Sequence, residues 1–347
     1  MEQRRLGRTG LEVGALGLGT EHLEQSKDSM EEVIRTAVAS GVSYLDVLYE
    51  DPDSASGFWE SFAPAVKPYR DKLVLAAHWG CYDDVDKGQR CFEEVLARLG
   101  GHAEVAIVAV IDKEEQWDGW GRRSVEVLSR YREEGRIGHI GMGGHFPWTA
   151  MKAVESGAVD VLMFPINMLK HDDEETQRLY RACAERSIGL VAMKPYSGGT
   201  LFRVGGKPTG ITATQCLAYV LSQPVSTVVP GVKNVEELRT ALRYLCATDQ
   251  ERDFRQAIAN LPVYFEGVCT YCRHCLPCPQ DIRIPEVMLL LDFAQGGVAD
   301  ELRQWYSGFK LKASACTECG TCMERCPFKV EVIAKMKRAV ELFEGTA

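Results

Sequence analysis

The feature that most constrains the fold is an alternation of short apolar runs with longer amphipathic runs, repeated eight times before residue 250. The apolar runs are Ala15–Gly19, Tyr44–Tyr49, Lys72–His78, Val105–Asp112, His139–Gly143, Val161–Asn167, Gly189–Lys194 and Ser226–Val229. Helix-like stretches separate them, for example Asp28–Ala39, Asp84–Leu99, Arg122–Glu134, Glu174–Glu185 and Val235–Leu245. Eight strand-and-helix repeats are typical of an α/β protein with a (β/α)8 TIM barrel. The alternative is a doubly wound open sheet, which usually has fewer strands and a glycine-rich first turn that we do not find.

Length, composition and charge limit the function classes. The chain has 347 residues, enough for one large domain and a small one, and its 46% hydrophobic content suffices for a packed core. The net charge of −9 removes the attraction to phosphate on which nucleic-acid binding depends, so we expect neither DNA nor RNA as a partner. No apolar stretch is long enough for a signal peptide or a membrane span, and we therefore expect a cytoplasmic protein.

Eight of the thirteen cysteines lie in two short runs near the C-terminus, and each run is followed directly by a proline. The first run is Cys269, Cys272, Cys275 and Cys278, and the second is Cys316, Cys319, Cys322 and Cys326. This spacing resembles that of ferredoxins with two iron–sulfur clusters, in which the last cysteine of each run binds the other cluster. The resemblance implies one [4Fe–4S] cluster on Cys269, Cys272, Cys275 and Cys326, and a second on Cys316, Cys319, Cys322 and Cys278.

Structural zinc and disulfides are the competing interpretations of these cysteines. Zinc would be satisfied by two cysteine pairs per ion, but it would leave Pro279 and Pro327 unexplained. The first run has two residues before Cys278 where the commonest bacterial run has three, so the loop there must be tighter. Free thiolates at this density also favour a reducing compartment and an anaerobic host.

The order of several segments resembles the aldo-keto reductase family. They are RRLGRTGLEVGALGLGT, YLDVLY, RLGGHAEVAIVAVID, EGRIGHIGMGGH, AMKPYSGG and VVPGVKNVEEL. The cysteine-rich tail is similar to the ferredoxin-type extension of an iron–sulfur branch of that family. The resemblance implies a barrel over residues 1–255 and a small α-helical ferredoxin-like domain with a terminal helix over residues 265–347.

Members of this family pass a hydride from NADPH to a carbonyl group, using a tetrad of aspartate, tyrosine, lysine and histidine. By resemblance, Asp46 keeps the aspartate position, whereas Asp51 stands where the tyrosine is expected and Tyr49 is the nearest candidate. His78 takes the lysine position, and Val110 takes roughly that of the histidine. We therefore expect Asp46, Tyr49 and His78 to handle protons, and we expect ordinary NADPH-dependent reduction to be weak.

The resemblance also implies a nucleotide site at the ends of the last barrel strands. Its candidates are Asn167, Lys194, Gly231, Lys233 and Asn234, and the last three begin a loop that binds nucleotide phosphates at a helix N-terminus. The same Pro-Gly pair also fits a simple turn, and the later Glu-Asn pair of the family is absent. NADP(H) is thus one cofactor to test. A flavin is another, because NADPH gives two electrons together whereas a cluster accepts one.

The leading hypothesis is an oxidoreductase that acts on a small molecule at the barrel mouth, with electrons passing through two [4Fe–4S] clusters. One alternative is an NADPH-dependent carbonyl or aldehyde reductase. Another is an electron-transfer subunit that docks to a partner redox protein such as a ferredoxin or a reductase. A metal site built from Glu21, His22 and His78 is a further hypothesis, since these residues follow neighbouring strands.

Overall fold

The computed structural model describes residues 1–47, 57–80 and 83–345. The chain divides into two compact units. Unit 1 comprises Met1–Met168, Glu174–Arg203 and Gly210–Phe254, and unit 2 comprises Leu169–Asp173, Val204–Thr209 and Arg255–Ala347. In the described part of the chain, no helix combines the length and the apolar character that a membrane span requires.

Unit 1 contains an eight-stranded parallel sheet that curls into a nearly closed barrel. Its strands are β3 (Leu18–Gly19), β4 (Tyr44–Val47), β5 (Val74–Gly80), β6 (Ala103–Val108), β7 (Ile137–Gly143), β8 (Val161–Pro165), β9 (Gly189–Met193) and β12 (Thr227–Val229). They pair in chain order, and bridges from Leu16 to Val228 and from Gly19 to Gly231 join the first strand to the last. The predicted α/β barrel is confirmed, and the open-sheet alternative is wrong.

Helices follow the strands along the chain, as the barrel requires. Those of unit 1 are α1 (Lys27–Ala39), α2 (Phe58–Val66), α3 (Val85–Arg98), α4 (Glu114–Gln116), α5 (Arg122–Glu133), α6 (Pro147–Ser156), α7 (Glu174–Glu185), α8 (Ala213–Leu221), α9 (Val235–Leu242) and α10 (Asp249–Arg252). Polar residues fix where several begin. Asp84, for example, accepts the backbone N–H groups of Asp86 and Lys87 at the start of α3.

Apolar side chains fill the barrel interior, and a hairpin covers the N-terminal ends of its strands. The hairpin consists of β1 (Gln3–Arg5) and β2 (Glu12–Gly14), which pair antiparallel. Leu6 and Val13 from the hairpin belong to the same buried cluster as interior residues of the barrel strands. A side chain at Gly189, the first residue of β9, would collide with Leu6, so the hairpin packs directly against the strand. The face opposite this hairpin, at the C-terminal ends of the strands, is where barrels of this kind carry out chemistry.

Unit 2 is mainly helical. Its helices are α11 (Arg255–Tyr264), α12 (Ile284–Phe293), α13 (Asp300–Ser307), α14 (Thr321–Glu324) and α15 (Val332–Ala339). Two further two-residue strands, β10 (Arg203–Val204) and β11 (Lys207–Pro208), pair with each other. Within unit 2, Tyr306 stacks on Phe343 and accepts the backbone N–H of Ala313, which fixes the end of the chain against α13. The first cysteine run lies in the irregular segment between α11 and α12, whereas the second run extends into α14, which contains Cys322.

Candidate functional site

Asp46 and His78 form a close polar pair on adjacent barrel strands. In the parallel pairing of β4 and β5, Asp46 lies opposite Ala76, so His78 follows two residues nearer the C-terminal end. His78 Nε2 lies 2.6 Å from Asp46 Oδ1, and both side chains are largely buried. The backbone carbonyl of Asp46 also accepts the N–H and the hydroxyl of Thr20, which fixes its position. The structure thus brings together two of the three predicted proton-handling residues.

Electrostatics favour a charged imidazole at this pair. Burial lowers the pKa of His78, whereas the charge and hydrogen bond of Asp46 and the charge of Glu21 raise it. The raising effects together exceed the effect of burial, so the pKa of His78 is shifted upward. Below the pair, burial and the Asp46 charge raise the pKa of Tyr44 well above its usual value. The Tyr44 hydroxyl is buried and finds no hydrogen-bond partner among residues 1–47, 57–80 and 83–345. His78 is therefore the residue of this pair that can donate a proton near neutral pH.

Of the two other predicted tetrad positions, the structure describes Val110 but not Tyr49. Tyr49, the predicted acid, lies outside the described residues, and its role stays a prediction. Val110, at the histidine position, packs against the apolar cluster of the barrel interior. Its assignment to the histidine position of the tetrad stays a prediction.

The predicted nucleotide residues cluster at the ends of the last strands, but the helix that follows is already capped. Asn234 is the N-cap of α9 and accepts the N–H of Glu237, whose carboxylate accepts the Lys233 N–H at 2.8 Å. Asn234 also donates its side-chain amide to Glu24 at 3.1 Å. An anion bound here would have to displace the Glu237 carboxylate from the N–H that it occupies.

Of the remaining nucleotide candidates, Asn167 and Lys194 contact each other, and Gly231 lies beside the first barrel strand. Asn167 follows β8 and donates its side-chain amide to the backbone carbonyl of Lys194 at 3.3 Å. Gly231 bridges to Gly19, and a side chain at this glycine would lie 3.3 Å from the His22 ring. The five candidates therefore follow strands β8, β9 and β12, and their role in cofactor binding stays a prediction.

A further polar chain at this face joins Lys194, a predicted nucleotide residue, to His145 and Asp112, a set of contacts that the sequence did not predict. His145 Nδ1 lies 2.9 Å from Asp112 Oδ2, and the His145 backbone N–H donates to Asp112 Oδ1 at 2.7 Å. On the other side of the ring, His145 Nε2 lies 3.0 Å from Lys194 Nζ. Gly144 permits this geometry, because a side chain there would lie 2.5 Å from the Ile111 carbonyl oxygen. In the sequence, Asp112 and Lys194 end two predicted apolar runs, and His145 follows a third.

The two cysteine runs of unit 2 line two separate cavities. The first cavity is lined by Cys269, Cys272, Cys275 and Cys326, and the second by Cys278, Cys316, Cys319 and Cys322. The empty volume, counted with the opening to solvent, is about 350 Å³ for the first cavity and about 360 Å³ for the second. We call them cavity 1 and cavity 2. Each cavity thus receives three cysteines from one run and the fourth from the other.

Most charge interactions follow the same grouping, although the charge of Cys322 in the second cavity also acts on Cys275 in the first. Burial raises the pKa of Cys269 to about 12, and the charges of Cys272, Asp292 and Cys326 add to this effect. Burial likewise raises the pKa of Cys322, with contributions from Cys316 and Cys278. Without a cation the cysteines in each cavity repel one another as thiolates, whereas positively charged irons would stabilise them.

Single-ion sites are not formed by the residues that the structure describes. Nowhere in ranges 1–47, 57–80 and 83–345 do three His, Cys, Asp or Glu side chains converge closely enough to bind one metal ion. The three-residue site considered for Glu21, His22 and His78 is therefore wrong, although Glu21 does influence the pKa of His78.

Comparisons with known proteins agree with the barrel. The model of the aldo/keto reductase family matches residues 11–211. The uncharacterized oxidoreductases YqkF and YrpG of Bacillus subtilis are 22% and 25% identical to this chain over 312 and 306 residues. The alignments cover 76% and 70% of this chain, and 98% and 90% of theirs.

Two solved structures share the fold. Aldo-keto reductase AKR11C1 from Bacillus halodurans superposes with a TM-score of 0.62 at 18% identity, covering 74% of this chain and 96% of its own. MGS-M4, an aldo-keto reductase from a deep-sea metagenome library of the Medee basin, gives a TM-score of 0.57 at 14% identity, covering 74% and 94%. Because the family model spans more than half of the sequence, this chain is an oxidoreductase that belongs to the aldo/keto reductase family.

Proposed function

We propose that this oxidoreductase acts on a small carbonyl compound at the C-terminal face of its barrel and holds two [4Fe–4S] clusters in unit 2. The observation that carries the cluster proposal is that each of two cavities is lined by four cysteines in the exchanged arrangement of two-cluster ferredoxins. Cavity 1 would hold one cluster and cavity 2 the other. We call these cluster 1 and cluster 2.

Polar atoms beside cavity 1 fit a sulfur-rich group. Burial alone would raise the pKa of Cys272, but hydrogen bonds from His274 and Thr270 lower it. The buried atoms His274 Nδ1 and Thr270 Oγ1 find no oxygen or nitrogen partner in the described part of the chain, and both residues line the cavity. Donors of this kind stabilise cluster sulfurs and thiolates. When bound, each cluster would accept or release one electron at a time.

At the barrel mouth, the chain's own residues supply binding and proton transfer. His78, whose pKa Asp46 raises, would donate a proton to the substrate's carbonyl oxygen, and Asp46 would keep the ring oriented. Tyr49 is the predicted second donor. A general acid of this kind contributes about 10²- to 10⁴-fold to the rate of a proton-coupled step.

The second candidate function is NADPH-dependent reduction of a carbonyl or aldehyde without participation of the clusters. Membership of the aldo/keto reductase family favours it over electron delivery through the clusters. The capped N-terminus of α9 argues for weak binding of an anionic cofactor at that helix. Under the leading hypothesis, a flavin would convert single electrons into pairs. A third candidate, an electron-transfer subunit that binds a ferredoxin or a reductase, requires no turnover by the chain alone.

One experiment separates these candidates. The protein is purified anaerobically, analysed for iron, sulfide and extracted cofactor, and assayed with a panel of aldehydes under two reductants, NADPH and reduced ferredoxin. The leading proposal predicts turnover with reduced ferredoxin that is lost when the clusters are removed. NADPH-driven turnover that survives cluster removal would establish the second candidate instead. No turnover with either donor, together with a stable complex with a redox partner, would establish the third.

A further inference from the structure

The two cysteine-lined cavities differ in the residues that their loops contribute. Between its second and third cysteine, the first run carries Arg273 and His274, whereas the second run carries Gly320 and Thr321 at the same places. Cys272 is buried at cavity 1, whereas its counterpart Cys319 is exposed at cavity 2. The nitrogen donors that Arg273 and His274 provide at cavity 1 are therefore replaced by a glycine and a threonine hydroxyl at cavity 2.

His274 is held between a carboxylate and cavity 1. Its Nε2 lies 2.8 Å from Asp172 Oδ2, an aspartate of the unit 2 segment Leu169–Asp173, more than 100 residues earlier in the chain. Its Nδ1 is buried and belongs to the lining of cavity 1. The ring is therefore held at Nε2 by the Asp172 carboxylate, while its buried Nδ1 meets no oxygen or nitrogen partner in the described part of the chain. With a cluster in cavity 1, the acceptors would be Asp172 and a cluster-side sulfur.

Hydrogen bonds to cluster sulfurs are a main determinant of the reduction potential of an iron–sulfur cluster. A donor stabilises the reduced form more than the oxidised form, because the reduced cluster carries more negative charge. Asp172 would keep the ring oriented and its Nδ1 directed at cavity 1, as the outer ligands of metal sites do. Arg273 and Thr270 also line cavity 1, and the Arg273 guanidinium lies 3.6 Å from Glu286 in a buried pair.

We propose that His274, positioned by Asp172, raises the reduction potential of cluster 1 and leaves that of cluster 2 unchanged. This inference rests on the proposed binding of two clusters. His274 and Asp172 are positioning residues, since the cysteines alone would bind the irons. The two clusters would thus be set to different potentials by residues outside the ligand set, and electrons would have a preferred cluster.

The test is a redox titration of the full-length protein under anaerobic conditions, followed by electron paramagnetic resonance. Cys326→Ser, which removes a ligand of cavity 1, identifies the signal of cluster 1. His274→Leu should shift the reduced-to-oxidised ratio of cluster 1 about tenfold toward the oxidised form at a fixed potential, a decrease of about 59 mV for one electron. Asp172→Asn should give a smaller shift in the same direction. His274→Gln keeps an N–H donor and should stay within about threefold of the wild type.

Thr321→Val is the matched control, because Thr321 occupies in the second run the place that His274 occupies in the first. It should leave cluster 1 unchanged. Iron and sulfide are measured in every variant, so that a lost cluster is not mistaken for a shifted potential. If His274→Leu loses iron, Asp172→Asn decides the question, since it changes no residue of the cysteine runs. Unchanged potentials in variants that keep their iron would overturn the inference. Absence of iron and sulfide from the wild type would overturn the proposed function as well.

Discussion

The exchanged arrangement of the cysteines can be tested by counting irons in paired variants. The linings of the two cavities assign Cys269 and Cys326 to cavity 1, and Cys316 to cavity 2. With four irons per cluster, the wild type should hold about eight. Cys269→Ser with Cys326→Ser removes two ligands from one cavity and should leave about four irons. Cys316→Ser with Cys326→Ser damages both cavities and should leave close to none.

The reverse result would refute the reasoning. If each run bound its own cluster, the Cys316 and Cys326 pair would spare one cluster, whereas the Cys269 and Cys326 pair would destroy both. The assay is iron and acid-labile sulfide per chain in anaerobically prepared protein, with the visible absorbance of the clusters as a second measure. Cys246→Ser is the control, because Cys246 lies outside both runs, is exposed, and should change nothing. Zinc in place of iron in the wild type would also contradict the assignment.

Three further predictions concern the barrel. Tyr44→Phe removes a buried hydroxyl that has no partner in the described part of the chain, and it should raise the free energy of unfolding by about 1 kcal/mol. Tyr131→Phe, by contrast, loses a hydrogen bond to a glutamate and should lower the free energy of unfolding. Denaturant titration checks both, and equal losses would contradict the explanation. Asp46→Asn should lower the pKa of His78. Because the pKa of His78 is raised in the folded wild type, the variant should lose most stability below about pH 6.5. This loss should shrink as the pH rises through the pKa of His78 in the folded protein. Unfolding curves across that range decide the sign. Gly144→Ala should cost about 1–3 kcal/mol, because its side chain would meet a backbone carbonyl at 2.5 Å; no loss of stability would show that the loop can move.

The barrel could be predicted from the sequence because hydrophobic periodicity reports which segments are buried. Each of the eight predicted apolar runs contains or overlaps a barrel strand. The predicted run Val105–Asp112 is too long, since β6 ends at Val108 and Asp112 lies in the loop beyond it. The hairpin of β1 and β2 was not predicted, because its three-residue strands are too short to show a period.

The candidate site was only partly predictable, for physical reasons. The pairing of Asp46 with His78 follows from parallel strands in register, so neighbouring strand ends suffice to predict it. The contact of Asp112 with His145 depends on a close approach of two loops across 33 positions of sequence, which no local pattern encodes. The role of Tyr49 stays a prediction, since this residue lies outside the described ones. The binding of clusters by the eight cysteines also stays a prediction.

The hairpin at the N-terminal end of the barrel has a consequence for synthesis on the ribosome. Arg8 donates its backbone N–H to Ser187, and the guanidinium of Arg4 donates to the carbonyl of Val225, 221 positions later. The first strand of the barrel pairs with β4 on one side, and bridges on its other side join it to the region of Thr227–Val229. The hairpin and the first barrel strand are therefore made long before the residues that they contact, so the nascent chain exposes an unpaired strand edge and apolar surface until Val229 has emerged. Dependence on chaperones during translation is the expected result.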